Sequence, residues 1–454
     1  MVKKDLTVKH HIIQKNQNQS GAIRIKYIII FVGIVLFLTS AAFWVPSFLK
    51  GKIFSYHFFQ NEIVVLGLLL LGGYIGGEAA NVLKFPAVTG YIIMGIFLGP
   101  SVLNFVPSHM IQEFNFIEAL GLSLVALIIG GDLHFDTLKR IGHTVVVITI
   151  VQAVSTFMVV SLALKYILKL PIQPTLFLGA IASATAPAAT VAVIKQYRAK
   201  GPLTDSLLAI VAMDDAACII LFSLVAAVVG VLNGGKEKGL SLIHISLPLW
   251  EIGGSIALGV IMGTILTLIL RKKIRQKQEM MIILIGAAFL FGELAEIMGL
   301  SALLFNMTAG LTMVNLDPNP LFFKCLEDIE LPIFIVFFSL AGATLNLEIL
   351  LKNWAIGLLF VLSRAVGKIG GVYIGGKVSG ANKFIQKYLG FAMLPQAGVA
   401  IALALTIQTT YPDLAGLITS VVLASVAINE LVGPLGTKFA ITSAGEIHFK
   451  KSNE

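Results

Sequence analysis

Apolar runs of about 20 residues, the length a helix needs to cross the hydrocarbon core of a bilayer, recur along the whole chain. Fourteen such segments lie near 27–46, 61–81, 86–104, 115–132, 141–168, 174–197, 202–232, 247–270, 279–298, 300–315, 331–351, 354–378, 386–408 and 412–437. The polar stretches between them are short, and 17 residues follow the last one. The pattern predicts an all-α polytopic membrane protein. It leaves no room for a soluble nucleotide-binding, regulatory or catalytic domain. The span at 27–46 is longer than the 7–15 apolar residues of a signal peptide, so it is expected to be a retained helix.

Composition sharpens this picture. The chain of 454 residues is 57% hydrophobic and 13% charged, whereas soluble domains carry about 25% charged residues. Its formal net charge of +9 has an explanation in topology. With a cytoplasmic N-terminus, the segments on that side hold 24 Lys and Arg, those on the other side seven, and Arg364 and Lys368 inside a span complete the 33. Lys and Arg favour the cytoplasmic side, so both termini are expected there and no nucleic-acid partner is implied. Stretches such as RKKIRQK at 271–277 are topology determinants on this reading. Cys218 and Cys325 form no disulfide framework, since Cys218 lies in an apolar span. No phosphate-binding loop is present, which argues against ATP-driven pumping, and no cofactor is expected.

The polar residues inside the spans carry the chemistry. Asp214 and Asp215 sit in the middle of LLAIVAMDDAACIILFSLVAAVVGVL. A carboxylate at mid-bilayer costs at least about 2.5–3.5 kcal/mol, so intramembrane acids are candidate ion or proton sites. Neighbouring residues on a helix point about 100° apart, so the two cannot face one partner alike. This spacing also argues against an intramembrane aspartyl protease, which needs acids on separate helices.

The preceding span, GAIASATAPAATVAVI, holds Pro187 at its middle beside Ser183, Thr185 and Thr190. Proline removes a helix hydrogen bond, so the span is either a kinked structural helix or a discontinuous one whose ends face an ion site. A second segment bears on the choice. Pro187-Ala-Ala-Thr-Val-Ala-Val aligns with Pro395-Gln-Ala-Gly-Val-Ala-Ile, and each copy is followed by one span with embedded acid, Asp214-Asp215 and then Glu430. Seven spans separate the copies, so they run in opposite directions, the signature of an inverted repeat with a site where two broken helices meet. Like helix ends facing each other need compensating charge.

An embedded base is available in WAIGLLFVLSRAVGKIGGVYIGG. Arg364 and Lys368 are four apart, hence on one helix face, and the glycines around them let another helix approach closely. Lys368 near mid-span is expected to contact a carboxylate or lose its proton. The alternative is that both snorkel to the interface. Glu78, Glu293 and Glu296 read as anchors or packing residues, or as outlying acids of the site. Asn306, Gln396 and Asn429 line a pathway or make ordinary interhelical hydrogen bonds. The eight histidines form no metal spacing.

From about residue 60 to 440 the chain resembles the second family of monovalent cation:proton antiporters. The resemblance rests on FPAVTGYIIMGIFLGP, SATAPAATVAVIKQYRAKGPLTDSLLAIVAMDDA, NMTAGLTMVNL, FFSLAGATLNL, SRAVGKIGG and LPQAGVAIALAL. It implies an inverted-repeat antiporter fold with two crossed discontinuous helices and 13 core spans at 61–440. The basic tail 1–26, the extra helix and loop 27–60 and the tail 441–454 flank this domain. It further implies that Asp215 is the main cation- and proton-binding carboxylate, the holder of the monovalent cation, and that Asp214 forms an ion pair with Lys368. Thr185, Ser183 and carbonyls near Pro187 would lie close to the ion, and Arg364, Gln396 and Glu430 are secondary candidates. The paired-aspartate members look electrogenic, favouring sodium over potassium or lithium here. A homodimer in a bacterial cell membrane is expected. A sodium-coupled symporter of an organic anion, a potassium/proton efflux antiporter, a passive channel and a transporter-like sensor are the competing classes.

Overall fold

In hydrocarbon a backbone must satisfy its own hydrogen bonds, and the long apolar runs do so as helices. The computed structural model describes residues 61–232, 242–273, 276–317, 321–345, 347–352 and 354–447. The tail 1–26, the helix expected at 27–46 and residues 448–454 of the tail 441–454 lie outside these residues. The helices are α1 Glu62–Val82, α2 Ala87–Leu98, α3 Ser108–Glu113, α4 Asn115–Asp132, α5 Phe135–Tyr166 and α6 Ile172–Ala182. They continue with α7 Pro187–Tyr197, α8 Pro202–Leu232, α9 Leu242–Lys273, α10 Lys277–Ile297, α11 Ala302–Leu316 and α12 Leu321–Lys324. The last six are α13 Glu327–Ala343, α14 Leu347–Lys352, α15 Trp354–Val378, α16 Lys383–Ala392, α17 Gly398–Thr410 and α18 Pro412–Ser443. There is no strand among the described residues.

Every expected span from residue 61 onward is filled by one helix or a broken pair, with two differences in length. The span at 86–104 is helical only through Leu98, because Gly99-Pro100 follows and proline disfavours the α conformation in the residue before it. The span at 331–351 is not continuous. Its helix α13 ends at Ala343, and the Thr344 hydroxyl donates to the Ala341 carbonyl at 2.7 Å.

The helices sort into two bundles by their packing. In one, α5 packs on α15, α6 and α8, while α15 also meets α16 and α18, and α18 meets α7 and α17. In the other, α11 packs on α4, α9 and α10, and α13 packs on α1, α2 and α4. The first bundle repeats one motif, a continuous helix, a broken helix and a continuous helix, as α5, α6/α7, α8 and again as α15, α16/α17, α18. Its centre is the α6/α7 segment, in which every residue from Phe177 to Ile194 is buried. A segment apolar on all sides belongs in such a place.

Two local devices position this bundle. Along α15 the spacing Gly367-x-x-x-Gly371-x-x-x-Gly375 faces α5 at Thr156, Gln152 and Ile148. A Cβ at Gly367 or Gly371 would stand 2.6 Å from the Cα of Thr156 or Gln152, so only glycine permits this approach. The second device holds the start of α8. Glu446, beyond the end of α18, accepts from the Leu203 N–H at 2.7 Å, the Thr204 N–H at 2.8 Å and the Thr204 hydroxyl at 2.7 Å. A carboxylate at a helix N-terminus satisfies donors the helix leaves open and complements its dipole.

Candidate functional site

Both helix breaks fall at the centre of the first bundle and lie against each other. The first covers 183–186 with Pro187 opening α7, and the second covers 393–397 and contains Pro395. The aligned prolines therefore sit differently, one at the first helical position and one inside the break. The breaks are joined directly. The Ala186 N–H donates to the Pro395 carbonyl at 3.0 Å, and the Gln396 amide donates to the Ile181 carbonyl at 3.0 Å.

Two C-terminal helix ends, those of α6 and α16, converge here and bring exposed carbonyls with partial negative charge. Arg364 meets both. Its Nε donates to Ala182 O at 2.9 Å and its Nη2 to Ala184 O at 2.6 Å. Its Nη1 donates to Leu394 O at 2.6 Å, and Nη2 reaches Pro395 O at 3.2 Å. The planar fork of guanidinium donors is what lets one side chain serve two helix ends. One turn along, Lys368 donates to Ser183 O, to Thr185 Oγ1 at 2.7 Å and to Asp214 Oδ2 at 2.8 Å. These three acceptors use all three ammonium donors. Arg364 and Lys368 are both fully buried, so neither snorkels to the interface.

The two aspartates differ in surroundings. Asp214 is fully buried, with one oxygen paired to Lys368 and the other accepting from the Gln152 side-chain amide. Asp215 is 6% exposed, and neither of its carboxylate oxygens receives a hydrogen bond. The hydroxyls near the break are already engaged. Ser183 Oγ turns back to Ala180 O at 2.7 Å, and Thr185 Oγ1 accepts from Lys368. What Ser183 offers the site is its carbonyl.

The opposite ends of the breaks, the N-termini of α7 and α17, face a cavity of about 70 Å³ lined by Thr185, Pro187, Gly398 and Glu430 on one bundle and by Phe337 and Leu303 on the other. Glu430 is buried there. Gln396 Oε1 accepts from Asn429 Nδ2 at 2.9 Å and from Ser425 Oγ at 3.4 Å, tying the second break to α18. The remaining polar candidates lie elsewhere. Glu293 and Glu296 are exposed on α10, Glu78 accepts from Asn81 on its own helix at 3.3 Å, and Asn306 donates to Ala302 O at 3.0 Å. None of the four is brought to the aspartates. No group of three metal-ligating side chains occurs among the described residues.

Sequence reading did not single out Gln152. Its signal was a lone amide in the middle of the apolar run VVVITIVQAVSTFMVV, facing a glycine stripe that only the fold pairs with it.

A buried carboxylate without a partner is costly when charged. Asp215 is such a group, next in sequence to the ion-paired Asp214, and either a proton or a bound cation would relieve that cost.

Comparison with known proteins agrees in fold. The pattern of the family described as sodium/hydrogen exchanger, transmembrane, matches residues 66–435. The high-affinity Na(+)/H(+) antiporter NhaS3 of Synechocystis is 24% identical over 363 residues, covering 75% of this chain and 76% of that protein. The ammonium/H(+) antiporter subunit AmhT of Alkalihalophilus pseudofirmus is 24% identical over 398 residues, 86% of this chain and 96% of that protein. Among solved structures, the sodium proton antiporter MjNhaP1 from Methanocaldococcus jannaschii superimposes with a TM-score of 0.65 at 21% identity, covering 84% of this chain and 98% of that one. The crossed broken-helix antiporter fold expected from the sequence is the fold of the chain.

Proposed function

Because the chain belongs to the transmembrane sodium/hydrogen exchanger family, we propose that it exchanges a monovalent cation for protons across a membrane, with Asp215 as the carboxylate for which the two compete. The observation that carries this reading is the buried Asp215 carboxylate with both oxygens free of hydrogen bonds. A proton and a cation each relieve the same charge, so binding of one displaces the other. Alternating access of that single site to the two sides then couples their movements. Lys368 and Asp214 form the adjacent ion pair, which opens when a cation arrives and closes when it leaves. The carbonyls of the first break supply neutral oxygens near the ion. We place the protein in a bacterial cell membrane as a homodimer, both termini cytoplasmic, with domain 61–440 as the exchanger.

Sodium is the favoured cation, on the paired aspartates. The length of the match to an ammonium/H(+) antiporter subunit makes ammonium a necessary arm of the test. The experiment is dissipation of an imposed pH gradient in proteoliposomes, with sodium, lithium, potassium and ammonium added in turn. Dissipation with at least one cation is expected. None with any of the four overturns the reading, and dissipation only with an organic anion present favours symport.

The ion pair carries its own prediction. Lys368→Ala removes the charge that offsets Asp214, and exchange is expected to lose transient current on a solid-supported membrane while the purified protein stays monodisperse. Unchanged currents would exclude a role for the pair in charge movement.

A further inference from the structure

Gln152 lies at the middle of α5, fully buried, in a span whose neighbours are almost all apolar. Its amide nitrogen donates to Asp214 Oδ1 and, at 3.2 Å, to the Thr149 carbonyl. Both partners are acceptors, which fixes the amide orientation from chemistry alone. The other end, Oε1, takes no hydrogen bond. Most buried amide oxygens take a hydrogen bond. This glutamine directs its donors at the carboxylate of the ion pair and leaves its acceptor unmatched. The backbone around it is arranged for that reach, because Gly371 lets α15 come within van der Waals distance of the Gln152 Cα. Lys368 and Gln152 thereby meet Asp214 from two different helices, one on each oxygen.

We infer that Gln152 is a positioning residue for the exchange, the uncharged partner that keeps Asp214 hydrogen-bonded and aimed while Lys368 is displaced by the incoming cation. This rests on the antiport reading given above. A cation near Asp215 repels the Lys368 ammonium but not a neutral amide. When the ion pair opens, Asp214 without Gln152 would be a second buried carboxylate with no partner. It would then compete with Asp215 for the cation or take a proton. With Gln152 in place, the cation and proton remain the business of Asp215.

The test uses the purified full-length protein in proteoliposomes and in detergent, with whichever of the four cations gives the largest wild-type signal. Gln152→Met keeps length and volume without the donor, and Gln152→Asn draws the amide back by one methylene. Each is expected to raise the KM for the cation by about tenfold or more, since a hydrogen bond to a buried charge is lost, with Vmax changed less. In detergent, cation-dependent thermal stabilisation gives the binding constant whether or not a variant transports. There the effect of Gln152→Met is expected to vanish in an Asp214→Asn background, the non-additivity of residues acting through one group. An unchanged KM in either folded variant, or full additivity with Asp214→Asn, overturns the positioning role. A wild-type protein that moves no protons with any cation overturns the antiport reading instead, so the two failures are distinguishable.

Discussion

Asp215→Asn abolishes cation-driven dissipation of a pH gradient and leaves the protein as stable as before, or more so. Asparagine retains the shape and one acceptor oxygen but can neither carry the negative charge nor release the proton. On the exchange reading proposed above, both conditions between which Asp215 alternates are removed. Exchange is expected to fall by at least about 100-fold, since the charged ligand of the exchanged ion is gone. The stability half of the expectation is opposite in sign to most buried substitutions. The Asp215 oxygens receive no hydrogen bond, so neutralising them removes a desolvation cost and breaks no contact. Proteoliposome assays and thermal unfolding in detergent check the two halves together. Exchange like wild type would sink the assignment of Asp215. Lost exchange with a collapsed unfolding temperature would show that Asp215 holds the structure and not the ion.

Arg364 is the site where the largest loss of stability is expected. Its guanidinium satisfies carbonyls of both breaks, from Ala182 and Ala184 on one side and Leu394 and Pro395 on the other. Replacing it with Leu leaves these acceptors buried and two negative helix ends facing each other without the cation that bridges them. Removing one partner from a buried charged arrangement costs about 3–5 kcal/mol. Arg364→Leu is expected to lower the unfolding temperature sharply and reduce the yield of folded protein. Arg364→Lys keeps the charge without the planar fork and reaches fewer of the acceptors, so it falls between. Equal unfolding temperatures for Arg364→Leu and wild type would mean that the breaks are held by something else, for example the Ala186–Pro395 and Gln396–Ile181 hydrogen bonds.

Hydropathy made the helices legible because membrane insertion demands a long apolar run, and each run from residue 61 onward is occupied. What it misjudged were interruptions whose cause is local. Gly99-Pro100 stops α2 early, and α13 ends at Ala343 within an expected span. The candidate site was legible wherever charge enters an apolar run, because that placement is expensive and conspicuous. Asp214, Asp215, Arg364 and Lys368 all signal themselves in this way, and the fold gathers all four. Neutral polar residues cost far less to bury and signal weakly. Gln152 escaped notice for that reason, and its pairing with Asp214 depends on a helix contact 62 residues away in sequence. Spacing also could not separate the roles of the acids farther from the pair. Glu430 lines the cavity beneath the breaks, whereas Glu293 and Glu296 stand on the outside of α10.

An interrupted helix is ordinarily the place where a protein bends. In this chain the two interruptions are fastened to each other by Arg364, Gln396 and the Ala186 amide, and Lys368 fastens the first of them to α8. Breaks tied at this many points are poor hinges. Flexing there would strip a buried cation of its acceptors before the ion had moved at all. On the exchange reading proposed above, travel between the two faces of the membrane falls to the seam between the bundles, with the interrupted helices riding across it as unbending cargo.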